Sequence, residues 1–381
     1  MTTVRRFLLV SPLVGVLGPI LAACVAPSAP IAKAPAADAS ATVAAPATVA
    51  ALAPPPAVPA PPPAVPLAFE PFALPGATAP ASLDYLAFEP GRSRVWVPVG
   101  TTGSVDVFDT RTKTFVSVGG FKTAQREVRG QMRTMGPSAA AIGDGAAYIG
   151  DRASNEVCAI DTRSLAIATC IALPSPTDGV AYVGSAKEVW VTTPRDQAIV
   201  VLGVDEPLAP KLKARIALEG SPEGYAVDPK RGLFYTNLED KNRTVVVDVA
   251  RHAPIKTWDV PCGEQGPRGV AVDGDAGAVF VACTDRVLVL DGARDGSVIG
   301  SIATGAGVDN IDWQPSRRWL IVAAGKAATV TVDAVDPAGH VTPIAVGASV
   351  AGARNGVVDE SGHAYVADAM NARLLVFAAP K

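Results

Sequence analysis

An all-β chain folded as a seven-bladed β-propeller is predicted by three observations. The first is a unit of three short strands joined by tight turns. It is clearest at residues 222–248, PEGYAVDPKRGLFYTNLEDKNRTVVVD, where YAVD, LFYTN and TVVVD are the strands and PKRG and EDKN the turns. Alternating and β-branched apolar runs bounded by such residues are the strand signal. The second is recurrence: copies begin at residues 84, 137, 177, 222, 267, 308 and 353, a period of 40–53 residues. Strand-rich repeats at that period indicate one propeller blade per copy. The third is a mismatch at the two ends. The last copy has only three strands, and a strand-like segment, residues 67–75 (LAFEPFALP), precedes the first copy without a blade of its own. An unpaired outer edge would leave backbone donors and acceptors open. Residues 67–75 are therefore expected to supply the fourth strand of blade seven and close the ring.

Taken in order, residues 1–23 read as an export signal. Arg5 and Arg6 form a basic start, and residues 7–20 are apolar but short for a membrane span. The segment ends in Leu21-Ala22-Ala23-Cys24, which resembles the lipobox of bacterial lipoproteins. The resemblance implies cleavage before Cys24 and a diacylglycerol on its sulfur, anchoring by roughly 0.8 kcal/mol per buried CH₂. An ordinary secretory signal with an incidental Cys is the plainer alternative. Val25 follows the Cys, so no Asp stands there to retain the protein in the inner membrane; by the family rule the expected address is the outer membrane, facing the periplasm. Residues 24–66 comprise the Cys and a run of Ala, Pro, Val, Ser and Thr with almost no charge. Such a run is an extended spacer with an upper reach on the order of 130 Å. Residues 67–381 are then one propeller domain.

Within the repeats, the second strands FYTN (234–237), WVTT (190–193), YIGD (148–151) and YVAD (365–368) resemble the Tyr-Val-Thr-Asn (YVTN) repeat of bacterial β-propellers. The resemblance covers residues 84 to the end and implies an extracytoplasmic binding protein without a shared catalytic residue. Blades one, five and six depart from it, with WVPV, FVAC and LIVA. Fold alone does not name a function. Several third strands end in Asp (Asp109, Asp161, Asp248, Asp291 and Asp333), which favours turns because its carboxylate accepts from nearby backbone N–H groups. Four cysteines remain besides Cys24. Cys158 and Cys170 fall on adjacent strands of blade two, and Cys262 and Cys283 on one face of blade five, so two disulfides, 158–170 and 262–283, are expected. No C-x-x-C is present and none of the three histidines lies near a Cys in sequence, which argues against zinc.

Aligned on their turns, the repeats place one residue each just before the innermost strand, at the mouth of the central channel: Asp84, Ser138, Asp178, Glu223, Arg268, Asp309 and Arg354. The next position holds Tyr85, Ala139, Gly179, Gly224, Gly269, Asn310 and Asn355, whose small members would let a ligand approach the backbone. Charged groups converging in a concavity are the default site; a merely polar, water-filled mouth is the structural alternative. An insertion at residues 119–136 opens onto the same face and carries Lys122, Arg126, Arg129 and Arg133 against one acid, Glu127. Arginine forks suit carboxylate or phosphate. The first expectation is a non-catalytic module binding a small anionic ligand or a protein partner, monomeric and without a cofactor. The second is a Ca²⁺-dependent hydrolase resembling the gluconolactonase propellers, with Glu223, Asp309 and Asn310 as oxygen ligands. The net charge of −3 speaks against nucleic acid.

Overall fold

The computed structural model describes residues 64–128 and 130–380; the expected export signal, Cys24 and the expected spacer up to residue 63, with Arg129 and Lys381, lie outside the described residues. Seven antiparallel blades form a β-propeller. Blade four shows how the repeat makes a blade. Its strands are Pro222–Asp228, Leu233–Leu238, Arg243–Asp248 and Ala253–Asp259, with Tyr235 of the second strand opposite Ala226 and Val246. The first turn closes because Asp228 Oδ1 accepts from the backbone N–H groups of Lys230 at 3.0 Å and Arg231 at 3.1 Å. Gly232 then takes φ +65° and Asn242, in the second turn, φ +54°, a region that Gly enters freely and Asn tolerates.

The core is divided among the junctions between blades. Among the described residues, seven apolar clusters each span neighbouring blades. Trp190 of blade three packs on Phe234 of blade four, and Phe280 of blade five on Trp313 of blade six, both with centroids 4.8 Å apart. A buried Trp N–H usually finds an acceptor: Trp96 Nε1 donates to Glu89 at 3.0 Å and Trp190 Nε1 to Glu188 at 2.8 Å.

The ring closes as the end mismatch predicts. Phe69–Ala73 pairs antiparallel with Arg373–Phe377 as the outer strand of blade seven. Phe69 packs on Phe377 at 5.4 Å, and Phe72 reaches Phe108 of blade one at 4.9 Å. Val65–Leu67 adds a parallel fifth strand to blade six. Residues 65 and 66, assigned to the spacer by composition, are thus already part of the fold. Both disulfides are present. Cys158 and Cys170 are cross-strand partners, and Cys262 joins Cys283.

The third-strand aspartates divide into two kinds. Asp109 and Asp161 each accept from two backbone N–H groups of the following turn, and Asp248 accepts from Arg251 N at 2.9 Å. Asp333 does not end its strand, which runs Thr329–Val335; its side chain is buried, with a 2.9 Å bond from Thr331. The alternation continues through Ala334 and Val335, so no turn begins at Asp333. Burial pushes its carboxyl up to about 7.

Candidate binding site at the channel mouth

Antiparallel pairing puts the entrance of each inner strand beside the exit of the second strand, as where Arg268 N donates to Ala282 O at 2.7 Å. The face so defined carries Asp84, Asp178, Glu223, Arg268, Asp309, Arg354 and the loop with Cys262. These side chains form a chain of contacts from blade to blade. Asn355 Nδ2 donates to Asp84 at 2.6 Å, joining blades seven and one. Arg152 of blade two lies 2.7 Å from Asp84 and also pairs with Asp178 of blade three. The Tyr225 hydroxyl of blade four donates to Val180 O of blade three at 2.5 Å. Arg268 of blade five sits 2.5 Å from Glu239 of blade four, and Gly269 N donates to Asp309 O of blade six at 2.7 Å. Arg354 of blade seven lies 3.4 Å from Asp309.

Tyr85 crosses this ring. From blade one its hydroxyl donates to Glu223 of blade four at 3.4 Å and accepts from Gly224 N at 3.3 Å. Its ring lies 5.6 Å from that of Tyr225. Tyr85 thus ties blade one to blade four across the mouth.

Several residues behave otherwise than their alignment suggests. The small side chains are not there to admit a ligand. A Cβ on Gly224 would stand 2.4 Å from Arg268 O, one on Gly179 2.3 Å from the Tyr225 ring, and one on Gly269 2.7 Å from Asn310 Oδ1. Inner strands converge on the axis, and the neighbouring blade takes the space. Ser138 is buried, its hydroxyl 3.5 Å from Gly150 O in its own blade. The insertion is a hairpin, Ala124–Val128 and Gln131–Met135, in which Arg126 and Arg133 stand opposite each other. Lys122 pairs with Glu156 at 3.3 Å, and Arg126 reaches Ala153 O at 3.5 Å. The hairpin thus leans on the turn that sends Arg152 to the mouth.

Arg152 and Glu239 escape the alignment because they lie in turns after the second strand. Those turns share the mouth face, and a search of the residues following YIGD and FYTN would find both. With them counted, Asp84, Asp178, Glu223, Glu239 and Asp309 face Arg152, Arg268 and Arg354. Each of these arginines already faces a carboxylate.

The electrostatics follow. Burial, with repulsion from Asp84 and Asp309, raises Asp178 to about 6 despite Arg152. Burial and the carboxylates of Asp178, Asp309 and Asp84 hold Glu223 well above the usual range. Burial raises Asp309 too, against the pull of Arg354. Tyr85 is raised by burial and then by Glu223. Two acceptors, Asp178 Oδ2 and Asn355 Oδ1, are buried without a hydrogen-bond partner. Such a group costs about 1–3 kcal/mol. Asp309 and Glu223 come together at the mouth, and Asn310 lies against Gly269. Among the described residues, no group of three or more His, Cys, Asp or Glu side chains is arranged to hold a metal ion.

Solved structures share the fold. A chain of the hydrazine synthase of Kuenenia stuttgartiensis is 14% identical, with a TM-score of 0.64 over 80% of this chain and 98% of that one. A chain of a mitotic checkpoint complex is 12% identical, with a TM-score of 0.65 over 82% and 93%. U3-55K is 10% identical, with a TM-score of 0.65 over 80% and 97%. At these identities the likeness is one of fold alone. No family model matches the chain, and no curated protein is similar to it in sequence.

Proposed function

We propose that the chain is a lipid-anchored protein of the bacterial cell envelope that presents its propeller as a non-catalytic binding module, of the YVTN kind, with the channel mouth as the point of attachment. A β-propeller supports a binding or scaffold role in general. The observation that carries the finer reading is convergence: side chains from all seven blades take part in the contacts at the mouth and leave two buried acceptors unanswered. The Leu21-Ala22-Ala23-Cys24 sequence and two disulfides suit an exported, oxidising setting. Cys24→Ser should abolish palmitate labelling and release the protein from the membrane fraction; unchanged labelling contradicts the anchor. A ligand screen by melting shift tests the module, since a ligand that binds only the native state raises the melting point. Ca²⁺ belongs in that screen, because the hydrolase reading requires a Ca²⁺ response that depends on Glu223 and Asp309.

A further inference from the structure

We propose that the channel mouth binds an organic amine, a diamine or polyamine whose ammonium groups are taken by Asp178, Glu223 and the amide oxygen of Asn355. The inference rests on the binding-module reading and names its ligand class. Charge is the first ground, because five carboxylates meet three guanidiniums at the mouth. The orphaned acceptors are a second and independent ground. Asp178 is 9% exposed and Asn355 2%, yet Asp178 Oδ2 and Asn355 Oδ1 have no donor. Their other polar atoms hold them in the ring, Asp178 Oδ1 on Arg152 and Asn355 Nδ2 on Asp84. Turning the amide over would set its oxygen against that carboxylate, so Oδ1 stays an acceptor awaiting an N–H. The Glu223 carboxylate accepts from the Tyr85 hydroxyl at 3.4 Å.

The placement of the acceptors on separate blades suits an amine. A divalent ion needs several oxygens within 2.6 Å of one point. Here the acceptors stand on blades three, four and seven, and among the described residues no metal-holding group forms. Ammonium groups separated by a short methylene chain meet such acceptors one by one, and aromatic faces such as Tyr85 and Tyr225 suit both cation and chain. The charged groups facing the mouth are Asp84, Asp178, Glu223, Glu239, Asp309, Arg152, Arg268 and Arg354, together with the neutral Tyr85. Binding is therefore linked to protons. The Asp178 carboxyl, raised to about 6, is ionised above that pH and protonated below it, so affinity falls as pH falls.

The test is calorimetric titration of the full chain in detergent with putrescine and spermidine at pH 8.0 and 5.5, with matched KCl, CaCl₂ and sodium phosphate as controls. Saturable amine binding is expected at about pH 8, weaker by about tenfold or more at the lower pH. Glu223→Gln, which keeps the shape and the Tyr85 contact, should cost about ten- to a hundredfold in affinity; Asp178→Asn checks the second acceptor, with circular dichroism confirming the fold. Absence of saturable amine binding, or equal affinity in Glu223→Gln, overturns the proposal. If phosphate or another ligand binds and ring variants abolish it while amines do nothing, the amine is wrong and the binding module stands. Ca²⁺-dependent hydrolysis lost in Glu223→Gln overturns both.

Discussion

At the scale of single residues, the buried carboxyls are where sequence and pH meet. Asp333 sits in the third strand of blade six with one oxygen on Thr331 and the other unpartnered. Its folded pKa, about 7, lies above the unfolded value. The folded state therefore keeps a proton that the unfolded chain releases, and stability falls as pH rises from about 4 to about 7. Asp333→Asn copies the protonated form. At pH 8 it should raise stability by up to about 4 kcal/mol, and at pH 4 it should change little. Denaturant unfolding at the two pH values measures this; equal effects would show that Asp333 is ionised in the fold. Asp109 and Asp161 carry the opposite sign, since backbone hydrogen bonds hold them below the usual range. One letter at a similar place in the repeat thus has two physical roles, decided by whether the strand stops.

At the scale of elements, closure depends on five residues far from the rest of blade seven in sequence. Phe69–Ala73 satisfies the outer edge of Arg373–Phe377 and inserts Phe69 and Phe72 beside Phe377 and Phe108. Deleting residues 69–73 removes that ladder and two aromatic contacts, each of the latter worth about 0.5–1.5 kcal/mol beyond its buried area. The melting point should fall by many degrees, whereas a deletion of equal length within residues 40–59 should leave it unchanged. Equal melting of the two variants would contradict strand-based closure. The second-strand motif also acts at this scale. Asn237 of FYTN donates to Arg268 O at 2.5 Å and accepts from Thr244, while Asp151 and Asp368 close the turns that follow YIGD and YVAD. The motif ties turns and neighbouring blades together, which is why it reports fold and not ligand.

For the whole molecule, what could be read in advance divides along the same line. Turns, strand periods, the closing segment and both disulfides depend on residues near in sequence or one strand apart, and they were legible. The ring positions were legible as a set, because the repeat brings equivalent residues to one end. Their partners were not. Tyr85 meets Glu223 across 138 residues, and Arg152 bridges two blades from a turn that no alignment of inner strands includes. The small residues at Gly179, Gly224 and Gly269 were misread for the same reason, since the neighbouring blade that fills their space is invisible in one dimension. The resulting mouth ties blade to blade and still leaves acceptors open. A crystal structure of the protein soaked with the strongest hit of the melting screen tests that dual role most directly. The account predicts ligand at the mouth within hydrogen-bond distance of Asp178 Oδ2 and Glu223. Ligand held between blades or on the opposite face, with the mouth unchanged, would contradict it.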